Sequence, residues 1–600
     1  MKKRKIMLIG GFLVLVFLIT SLALAAPPDH AGQPGPPDHA GQPGPPDHAQ
    51  VPEHAQPGKA TPAEEAYDML YDLCDIAGYG INSGINVGEK ADEAAAYILD
   101  KLHKAGLTNA KLEPIQVNSP LPEYYEVIVE AKGSKTILSE SCFPIHWTVG
   151  TPAEGITGEL VYVGYGLDSD FERVDVANKI VLIDEKFMRG YMKNVGQAAT
   201  KKAIERGASA VFRVNMILDS PQQQKGEGLP DNLLPIPVFC FGKQSGDYLR
   251  ELAISDIPHT IKIKLDVPHK VYDQHNIVFE LPGNGSSDEV ILVPTHYDTG
   301  YFTGAVDNNG SVALMIKWAE YFANKPKKSR NRDMIFAWCL GHDFDMNSGH
   351  YQFAEAHEEQ LKKAIVWGVD HAVGGIRHVY DETLGEIVPV EGETCEFYII
   401  SNNYTFTRLA GFTMDKYGFI CTQNPFGASG SGPNWGVAPS TSPWVNVASI
   451  PLYYHSIFDT PDKITLDQME RAYAAHIEIL ENVDNTPEGF LFYDNVSMTR
   501  PNSPPRVSIA MITDTVHVGD TVSVWNDETR FYDDKMSYHT PGVPQWVGTK
   551  WDWGDGTPVT IAGPTATHVY KEPGNYQITL EFTDTEGATA TDTKEIKVLP

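Results

Sequence analysis

The sequence predicts a multidomain α/β protein whose core is interrupted by an inserted domain and followed by an all-β sandwich. Strand-like and helix-like segments alternate between residues 276 and 370, which is typical of a helix-covered, mixed sheet. A second alternation of short strands with one helix fills residues 126–268. Over residues 503–600 the strand patterns come with turn signals and no helical period, which favours a β-sandwich.

The composition of the 600 residues excludes several classes of protein. With 42% hydrophobic and 21% charged residues, the chain has ordinary globular content, unlike a disordered or collagen-like protein. Its 78 acidic and 47 basic residues give a net charge of −31, which repels phosphate groups, so we expect no nucleic-acid partner. The six cysteines form no CxxC pair, which argues against a cysteine zinc cluster, although their spacing is compatible with one or two isolated disulfides.

The first 61 residues predict export followed by a spacer. A basic run at residues 2–5 precedes an apolar stretch that ends in Ala23-Leu24-Ala25, the pattern of a signal peptide over residues 1–25. The alternative is an uncleaved membrane anchor, because the stretch is nearly long enough to span a bilayer. Residues 26–61 repeat PPDHAGQPG and carry almost no apolar side chains, so we expect a solvated linker. We therefore predict a secreted, extracellular protein with no membrane segment after signal cleavage.

The core is predicted in two parts, residues 62–125 and 269–486. Apolar residues at helical spacing over residues 63–107 predict two amphipathic helices in the first part. In the second part, NIVFELPG, EVILVPTHYD, DMIFAWCLG and AIVWGVD are predicted strands and KWAEYFAN is a predicted helix.

Residues that can bind a metal follow the predicted strands of the second part, where open α/β sheets bind their ligands. They are His296 and Asp298, His342 and Asp343, Asp370, and Tyr454 and His455. Asp298 is predicted to fix the tautomer of His296, as carboxylates commonly do for a histidine ligand. Asp307 lies in the glycine-flanked turn GAVDNNGS before a helix, where a plain N-cap is the alternative role.

In this order, the motifs resemble the secreted dizinc exopeptidases related to bacterial leucyl aminopeptidase and glutamate carboxypeptidase. The resemblance covers roughly residues 63–481 and implies a three-layer zinc-exopeptidase core with two zinc ions. It implies that Tyr454 stabilises the developing oxyanion and that Asp307 bridges the two metals. The implied metal ligands are His296, Asp307, Asp343, Asp370 and His455. Such a bridging carboxylate lets two ions ~3.5–4 Å apart act on one water and one carbonyl.

The chain departs from this family at the general base. Where the family has two consecutive glutamates, this chain has His342-Asp343, so the base position is His342. A neutral imidazole with a pKa near about 6.5 can take a proton from zinc-bound water, but it can equally coordinate the metal itself. Asp345 is another candidate base. The loop before the last histidine is the glycine-rich FGASGSGPNWG, which lacks the family's aspartate.

The two flanking domains also resemble known modules. Within residues 126–268, KIVLI, GASAV and IPV resemble a protease-associated domain, which implies a lid or a substrate-positioning role. Within residues 503–600, WDWGDG and YKEPGNY resemble a polycystic-kidney-disease (PKD) domain, which implies contact with a polymer, a partner or a cell surface. Asp552 and Asp555 in its loops are candidate calcium ligands, although turn chemistry explains them as well.

The predicted function is a secreted zinc metallopeptidase, an exopeptidase of the aminopeptidase type that acts on peptides or proteins. One alternative is a catalytically impaired peptidase-like binding or adhesion protein, because the base position is His342. Another keeps the metals and hydrolyses a different amide or an ester. The remaining histidines of this region, His350, His357, His371 and His378, are predicted at the surface or behind the ligands.

Overall fold

The computed structural model describes residues 60–119, 121–185, 195–222, 233–343, 348–381, 383–423, 437–438, 442–492, 507–526, 549–562, 565–583, 587 and 589–600. The predicted signal peptide and almost the whole predicted linker lie outside these residues. Within the described part of the chain, no helix combines the length and the apolar character needed to cross a membrane. All six cysteines are described, and none of them forms a disulfide.

The first part of the core consists of two helices and one strand. They are α1 Pro62–Ala77, α2 Glu89–Lys104 and β1 Lys111–Ser119. A capping box between Thr61 and Glu64, with Pro62 in the first turn, sets the start of α1. Both helices bury an apolar face at the predicted helical spacing.

The inserted segment folds as an α/β unit. Its elements are β2 Tyr124–Ala131, β3 Ser134–Ile137, β4 Cys142–Pro144, β5 Ile156–Gly158, β6 Leu160–Tyr162, α3 Asp168–Arg173, β7 Ile180–Glu185, α4 Val195–Glu205, β8 Ala210–Asn215, β9 Val238–Phe241, α5 Lys243–Ile254 and β10 His259–Asp266. One sheet has the order β4-β9-β8-β7-β6 and a second the order β3-β2-β10-β5. A shared apolar core contains residues of both sheets. The resemblance of this unit to a protease-associated domain stays a prediction.

The second part of the core supplies most of the main sheet. Its elements are β11 Lys270–Leu281, β12 Val290–His296, α6 Gly310–Asn324, β13 Asp333–Cys339, α7 Ser348–Ala356, α8 Glu358–Leu361, β14 Ala364–Val369, β15 Ile376–Asp381, β16 Glu386–Thr394, β17 Phe397–Ser401, α9 Tyr404–Lys416, β18 Cys421–Gln423, β19 Trp444–Ser449 and α10 Leu466–Asp484.

The main sheet has the order β1-β11-β13-β12-β14-β19-β17-β18. Strands β13, β12, β14 and β19 are parallel neighbours in this order. Strands β12, β14 and β19 are buried throughout, and β13 is buried except for Asp333, as strands covered on both faces should be. Helices α1, α2, α6, α9 and α10 cover one face, while α7 and α8 cover the other. The core is therefore a three-layer α/β structure with a mixed sheet, as predicted.

The C-terminal region is rich in strands. They are β20 Ile509–Met511, β21 Thr515–His517, β22 Thr521–Asn526, β23 Thr549–Asp552, β24 Thr560–Ile561, β25 Thr565–Val569, β26 Gly574–Thr583 and β27 Thr589–Leu599. They form two sheets, of order β20-β22-β25 and β21-β27-β26-β23-β24. Trp551 and Trp553 of the WDWGDG motif are buried in the core between them.

Candidate metal centre

Four adjacent parallel strands carry the candidate site at their carboxyl ends. His296 is the last residue of β12, and His342 and Asp343 follow β13. Asp370 directly follows β14. Tyr454 and His455 lie in the loop after β19. The sheet order therefore brings together side chains that are up to 159 positions apart in the sequence (455 − 296), at the edge where parallel sheets bind ligands.

Asp307 lies at the centre of this group. It belongs to the turn Ala305–Asn309, just before α6 begins. Its Oδ1 is 3.4 Å from Nε2 of His296 and 3.0 Å from Nε2 of His371. Its Oδ2 is 3.0 Å from Nε2 of His455. One carboxylate thus faces three imidazoles.

Asp459 holds the turn that presents Asp307. Its carboxylate accepts hydrogen bonds from the backbone N–H groups of Val306 at 2.9 Å and Asp307 at 3.0 Å. Burial raises the pKa of Asp459 to about 7. Because both donors belong to the turn, Asp459 fixes the backbone that orients the side chain of Asp307.

Backbone carbonyls set the tautomers of two histidines. Nδ1 of His296 donates to the carbonyl oxygen of Asp298 at 3.0 Å, and Nδ1 of His371 donates to the carbonyl oxygen of Ser449. Each neutral imidazole therefore directs the lone pair of Nε2 into the site, where a metal would use it.

The carboxylate of Asp298 has a different main role from the predicted one. It lies 3.7 Å from Nδ1 of His296, farther than the carbonyl oxygen of the same residue. Its hydrogen bonds come from the backbone N–H groups of Gly341 at 3.0 Å, His342 at 3.1 Å and Asp343 at 2.6 Å. Asp298 lies just after β12, and it anchors there the loop that contains His342 and Asp343.

The buried atoms of the site fit a metal ion. Nε2 of His296 and both carboxylate oxygens of Asp307 are buried, yet they make no hydrogen bond to any described residue. Buried acceptors that face one another are unfavourable unless a cation lies between them. His296, His342 and Asp343 place ligand atoms within 4.8 Å of one another, as do Asp307, Asp343 and His455. These imidazole and carboxylate donors are the set that zinc prefers.

The electrostatics of the site also favour bound positive charge. Burial lowers the pKa of His296, His371 and His455, but neighbouring carboxylates outweigh burial and raise each pKa overall. Burial raises the pKa of Asp307, yet the surrounding imidazoles hold it well below its usual range. The cluster therefore stabilises cations, either protons or metal ions. Burial raises the pKa of Tyr454 well above its ordinary value, which keeps its phenol protonated.

Asp370 and His342 complete the predicted set. Oδ1 of Asp370 is 3.7 Å from Nε2 of His296, and its Oδ2 accepts a hydrogen bond from the Asn446 side chain at 3.3 Å. The His342 ring centre is 4.3 Å from that of His296, so His342 is near enough to act as a base or as a ligand. Asp345 and the glycine-rich segment 426–436 lie outside the described residues.

His371 was predicted either at the surface or behind the ligands, without a named contact. It is buried, and its Nε2 contacts Asp307, so the placement behind the ligands is the one observed. Its backbone is left-handed, with φ 50°, which costs a non-glycine residue of order 1–3 kcal/mol. The available signal was its place directly after Asp370, at a strand end. By contrast, His357 bonds to Glu113 at 3.0 Å, away from the site.

The carboxylates of the sandwich motif take part in turn hydrogen bonds. Asp552 accepts from the backbone N–H of Gly554 at 3.0 Å. Asp555 accepts from the Thr557 hydroxyl at 2.6 Å and contacts Nε2 of His568 at 2.7 Å. The contacts with Gly554 and Thr557 are those of turn chemistry, whereas His568 lies on the separate strand β25. Calcium binding by Asp552 and Asp555 stays a prediction.

Residues 276–480 match the model of Peptidase family M28. This segment is therefore similar to that family. The match includes every residue of the metal centre described above. Residues 502–598 match the model of the PKD domain, which confirms the identity predicted for the C-terminal sandwich.

Curated relatives of the chain include human Carboxypeptidase Q, 26% identical over 275 residues, or 44% of this chain and 54% of that protein. Aminopeptidase YwaD of Bacillus subtilis (strain 168) is 25% identical over 310 residues, or 51% of this chain and 60% of that protein. The chain therefore spans only about half to three fifths of the length of these relatives.

Solved structures share the fold. BSAP, a zinc aminopeptidase from Bacillus subtilis, has a TM-score of 0.53 at 18% identity and covers 70% of this chain and 95% of its own. A Peptidase M28 precursor from Shewanella amazonensis SB2B has a TM-score of 0.54 at 18% identity and covers 70% of this chain and 93% of its own. The predicted core fold is confirmed by these similarities.

Proposed function

We propose that the protein is a secreted zinc-dependent exopeptidase of the aminopeptidase type that hydrolyses peptides. The observation that carries the proposal is the buried carboxylate of Asp307, which faces the Nε2 atoms of His296 and His455 without a hydrogen-bonded partner among the described residues. The M28 match supports peptide-bond hydrolysis. Similarity to Aminopeptidase YwaD supports cleavage at the N-terminal end of the substrate. Similarity to BSAP, a zinc aminopeptidase, supports zinc as the metal.

Two zinc ions would be held on either side of Asp307. His296 and Asp370 approach one another on one side, while Asp343 and His455 do so on the other. When bound, zinc polarises the scissile carbonyl and lowers the pKa of an attacking water. The chain itself must then move one proton and stabilise one negative charge.

His342 is the proposed proton carrier. It would accept a proton from the attacking water and return it to the leaving amine, as general acid–base catalysis requires. Tyr454 would donate its phenolic proton to a hydrogen bond with the oxyanion, since its raised pKa keeps the phenol neutral. Asp298 would keep His342 in place through the backbone of the loop.

The proposed location is extracellular. It rests on the signal-like pattern of residues 1–25, the proline-rich repeats of residues 26–61 and the C-terminal PKD domain. In this arrangement the PKD domain would contact a polymer, a partner or a cell surface. A peptidase-like binding protein is the second candidate, because histidine occupies the position of the expected glutamate base.

Hydrolysis of a substrate panel tests the proposal. The protein lacking residues 1–25 is stripped of metal, and zinc is added back in steps. Substrates are aminoacyl amides, the same compounds with a blocked α-amino group, and peptides cleavable only from the C-terminus. We expect turnover of the free aminoacyl amides that depends on zinc and disappears in His455→Ala.

The control is His357→Ala, which removes a histidine outside the site and should keep turnover. Preferential release of C-terminal residues would replace the aminopeptidase assignment with a carboxypeptidase one. A folded protein that binds zinc but hydrolyses none of the substrates would favour the binding-protein candidate.

A further inference from the structure

The loop that carries Tyr454 and His455 contains a backbone conformation that needs external support. We call residues 450–459 the Tyr454 loop. His455 has φ 55°, in the left-handed region, which a residue with a Cβ adopts only when its surroundings hold it there. Within the loop, the backbone N–H of Tyr454 donates to the carbonyl of Pro451 and the Ser456 hydroxyl donates to the carbonyl of Tyr453. After His455, the backbone N–H of Phe458 donates to the Ser456 hydroxyl oxygen and that of Asp459 to the Ser456 carbonyl. None of these four bonds involves the backbone N–H or carbonyl of His455 itself.

Two hydrogen bonds from the inserted domain bracket His455. The side-chain nitrogen of Gln222 donates to the carbonyl oxygen of Tyr454 at 2.6 Å. The hydroxyl oxygen of Ser220 accepts from the backbone N–H of Ile457 at 3.0 Å. One bond fixes the peptide group just before His455, and the other fixes the backbone two residues after it.

The inserted domain holds these two side chains rigidly. The side-chain nitrogen of Asn215 donates to the Gln222 side-chain oxygen at 3.1 Å. Its own side-chain oxygen accepts from the backbone N–H groups of Ile217 and Leu218, both at 3.0 Å. Asn215, Ser220 and Gln222 are all buried. A buried, connected network of this kind specifies one geometry.

Apolar packing reinforces the contact. Ile217 and Leu218 of the inserted domain share one buried cluster with Leu452 and Tyr454 of the loop. The cluster and the two hydrogen bonds act on the same short segment. A second apolar cluster packs Phe143 of the inserted domain against Phe302, whose ring stacks on His455.

We propose that Gln222 and Ser220 are positioning residues that hold Tyr454 and His455 in the geometry of the metal centre, so that the inserted domain is a structural part of the active site. The holding of the loop is independent of the proposed function. Its consequence for metal binding rests on that function, so the two are measured separately.

The first measurement is hydrogen exchange of the metal-free protein that lacks only residues 1–25. Gln222→Met keeps the length of the side chain but removes both its donor to Tyr454 and its acceptor for Asn215. Ser220→Ala removes the acceptor for Ile457. We expect amide exchange in residues 452–459 to accelerate by about fivefold in either variant, the size of one lost hydrogen bond. The control is Thr148→Val, which removes buried hydrogen bonds to Ile236 and Val238 inside the inserted domain and should leave exchange of the loop unchanged.

The second measurement is binding of Co²⁺ in place of zinc, followed by its visible absorption. We expect Gln222→Met to weaken Co²⁺ binding by about tenfold, as for other residues that orient a ligand, and to change the absorption bands, while Thr148→Val does neither. Unchanged loop exchange in Gln222→Met and Ser220→Ala overturns the proposal. Faster exchange with unaltered Co²⁺ affinity and spectrum overturns its link to the site. A wild-type protein that binds no Co²⁺ would contradict the proposed function instead, and the exchange result would still decide whether these residues hold the loop.

Discussion

His342 determines which chemistry the site can perform. Its backbone N–H is fixed by Asp298 at 3.1 Å, and its ring centre is 4.3 Å from that of His296. Asp343, the next residue, points carboxylate oxygens toward the same cluster as His455, with an Oδ1–Nε2 distance of 3.7 Å. The shorter aspartate leaves more room than a glutamate would, and the imidazole of His342 is larger than a carboxylate. The pair therefore keeps one acid ligand while changing the type of base.

Replacing His342 separates the roles of base and ligand. If His342 is the base, His342→Ala lowers kcat by about 10²–10⁴-fold and leaves zinc content unchanged. His342→Glu, which restores a carboxylate base, should recover part of the activity. Steady-state kinetics and metal analysis of the same preparations measure both effects. Loss of zinc from His342→Ala would make His342 a ligand and would leave the base unassigned.

At the scale of elements, hydrogen bonds between the loop after β12 and the loop after β13 organise the metal centre. One carboxylate, Asp298 at the end of β12, accepts three consecutive backbone N–H groups of the segment after β13. The three bonds set the direction of two neighbouring side chains at once. The function of Asp298 is thus to shape a loop, which the sequence pattern H-x-D did not reveal.

Asp298→Asn tests this loop anchor. The amide keeps the shape but replaces one acceptor oxygen with a donor, which then faces backbone N–H groups. We expect zinc affinity to fall by about 10–100-fold and the free energy of unfolding to fall by about 1–3 kcal/mol, measured by chelator competition and urea unfolding.

Asp484→Asn is the matched control for Asp298→Asn. Asp484 is also buried and accepts backbone N–H groups, those of Asn331 at 3.0 Å and Arg332 at 2.9 Å. It lies near the start of β13, at the opposite end from the site. The Asp484→Asn variant should have a lower free energy of unfolding and an unchanged zinc affinity. An equal loss of zinc affinity in both variants would contradict the anchor role of Asp298.

The sequence predicted the elements better than their contacts. Buried apolar strands and their polar ends are visible in a run such as EVILVPTHYD, so His296, Asp343, Asp370 and His455 were placed at one sheet edge in advance. The contact of His371 with Asp307 was not predicted, because the orientation of its ring depends on the carbonyl of Ser449, on another strand. The hydrogen bond from Gln222 to Tyr454 could not be predicted from the sequence, because it depends on how the inserted domain packs against a loop 232 positions away.

A buried histidine in the helical layer makes the core sensitive to acid. His476 of α10 stacks on Trp318 with ring centres 4.5 Å apart. Nε1 of Trp367 donates to its Nδ1 at 3.1 Å, so this nitrogen must stay unprotonated. Burial lowers the pKa of His476 to about 3. Since the unfolded chain binds this proton at pH about 6.5, the stability contributed by the neutral ring is complete above that pH and is lost as the pH falls.

His476→Gln should reduce this acid sensitivity, because glutamine keeps an acceptor for Trp367 and cannot be protonated. Between pH 6.5 and 4.5 we expect the wild-type protein to lose about 2–3 kcal/mol more unfolding free energy than the variant, measured by urea unfolding at several pH values.

His357→Gln should change the pH dependence of the unfolding free energy in the opposite direction. Burial lowers the pKa of His357, but its bonds to Glu113 and Gln360 raise it overall, so its removal should cost stability on the acid side. Parallel pH profiles of wild type and His476→Gln would contradict the assignment.

At the scale of the whole molecule, the C-terminal sandwich contacts the inserted domain at the start of α3. Asp520 is buried and accepts hydrogen bonds from the backbone N–H of Ser169 at 3.0 Å and from its hydroxyl at 2.8 Å. The same carboxylate accepts from the backbone N–H of His517 at 2.8 Å. Leu167 packs against the core of the sandwich. The inserted domain is therefore joined to the sandwich on one side and to the Tyr454 loop on another.

Asp520→Ala should remove the hydrogen bonds to Ser169 without unfolding the inserted domain or the sandwich. An acidic side chain at the first turn of a helix satisfies N–H groups that otherwise have no partner, so its loss should accelerate amide exchange in residues 168–173 by about fivefold to tenfold. Asp592→Ala is the control, because Asp592 accepts from the backbone N–H of Ile509 at 2.6 Å within the sandwich itself and should not affect α3. If residues 168–173 exchange at the same rate in wild type and Asp520→Ala, the contact does not hold the two domains together. If exchange in the Tyr454 loop also accelerates in Asp520→Ala, the sandwich acts on the metal centre through the inserted domain.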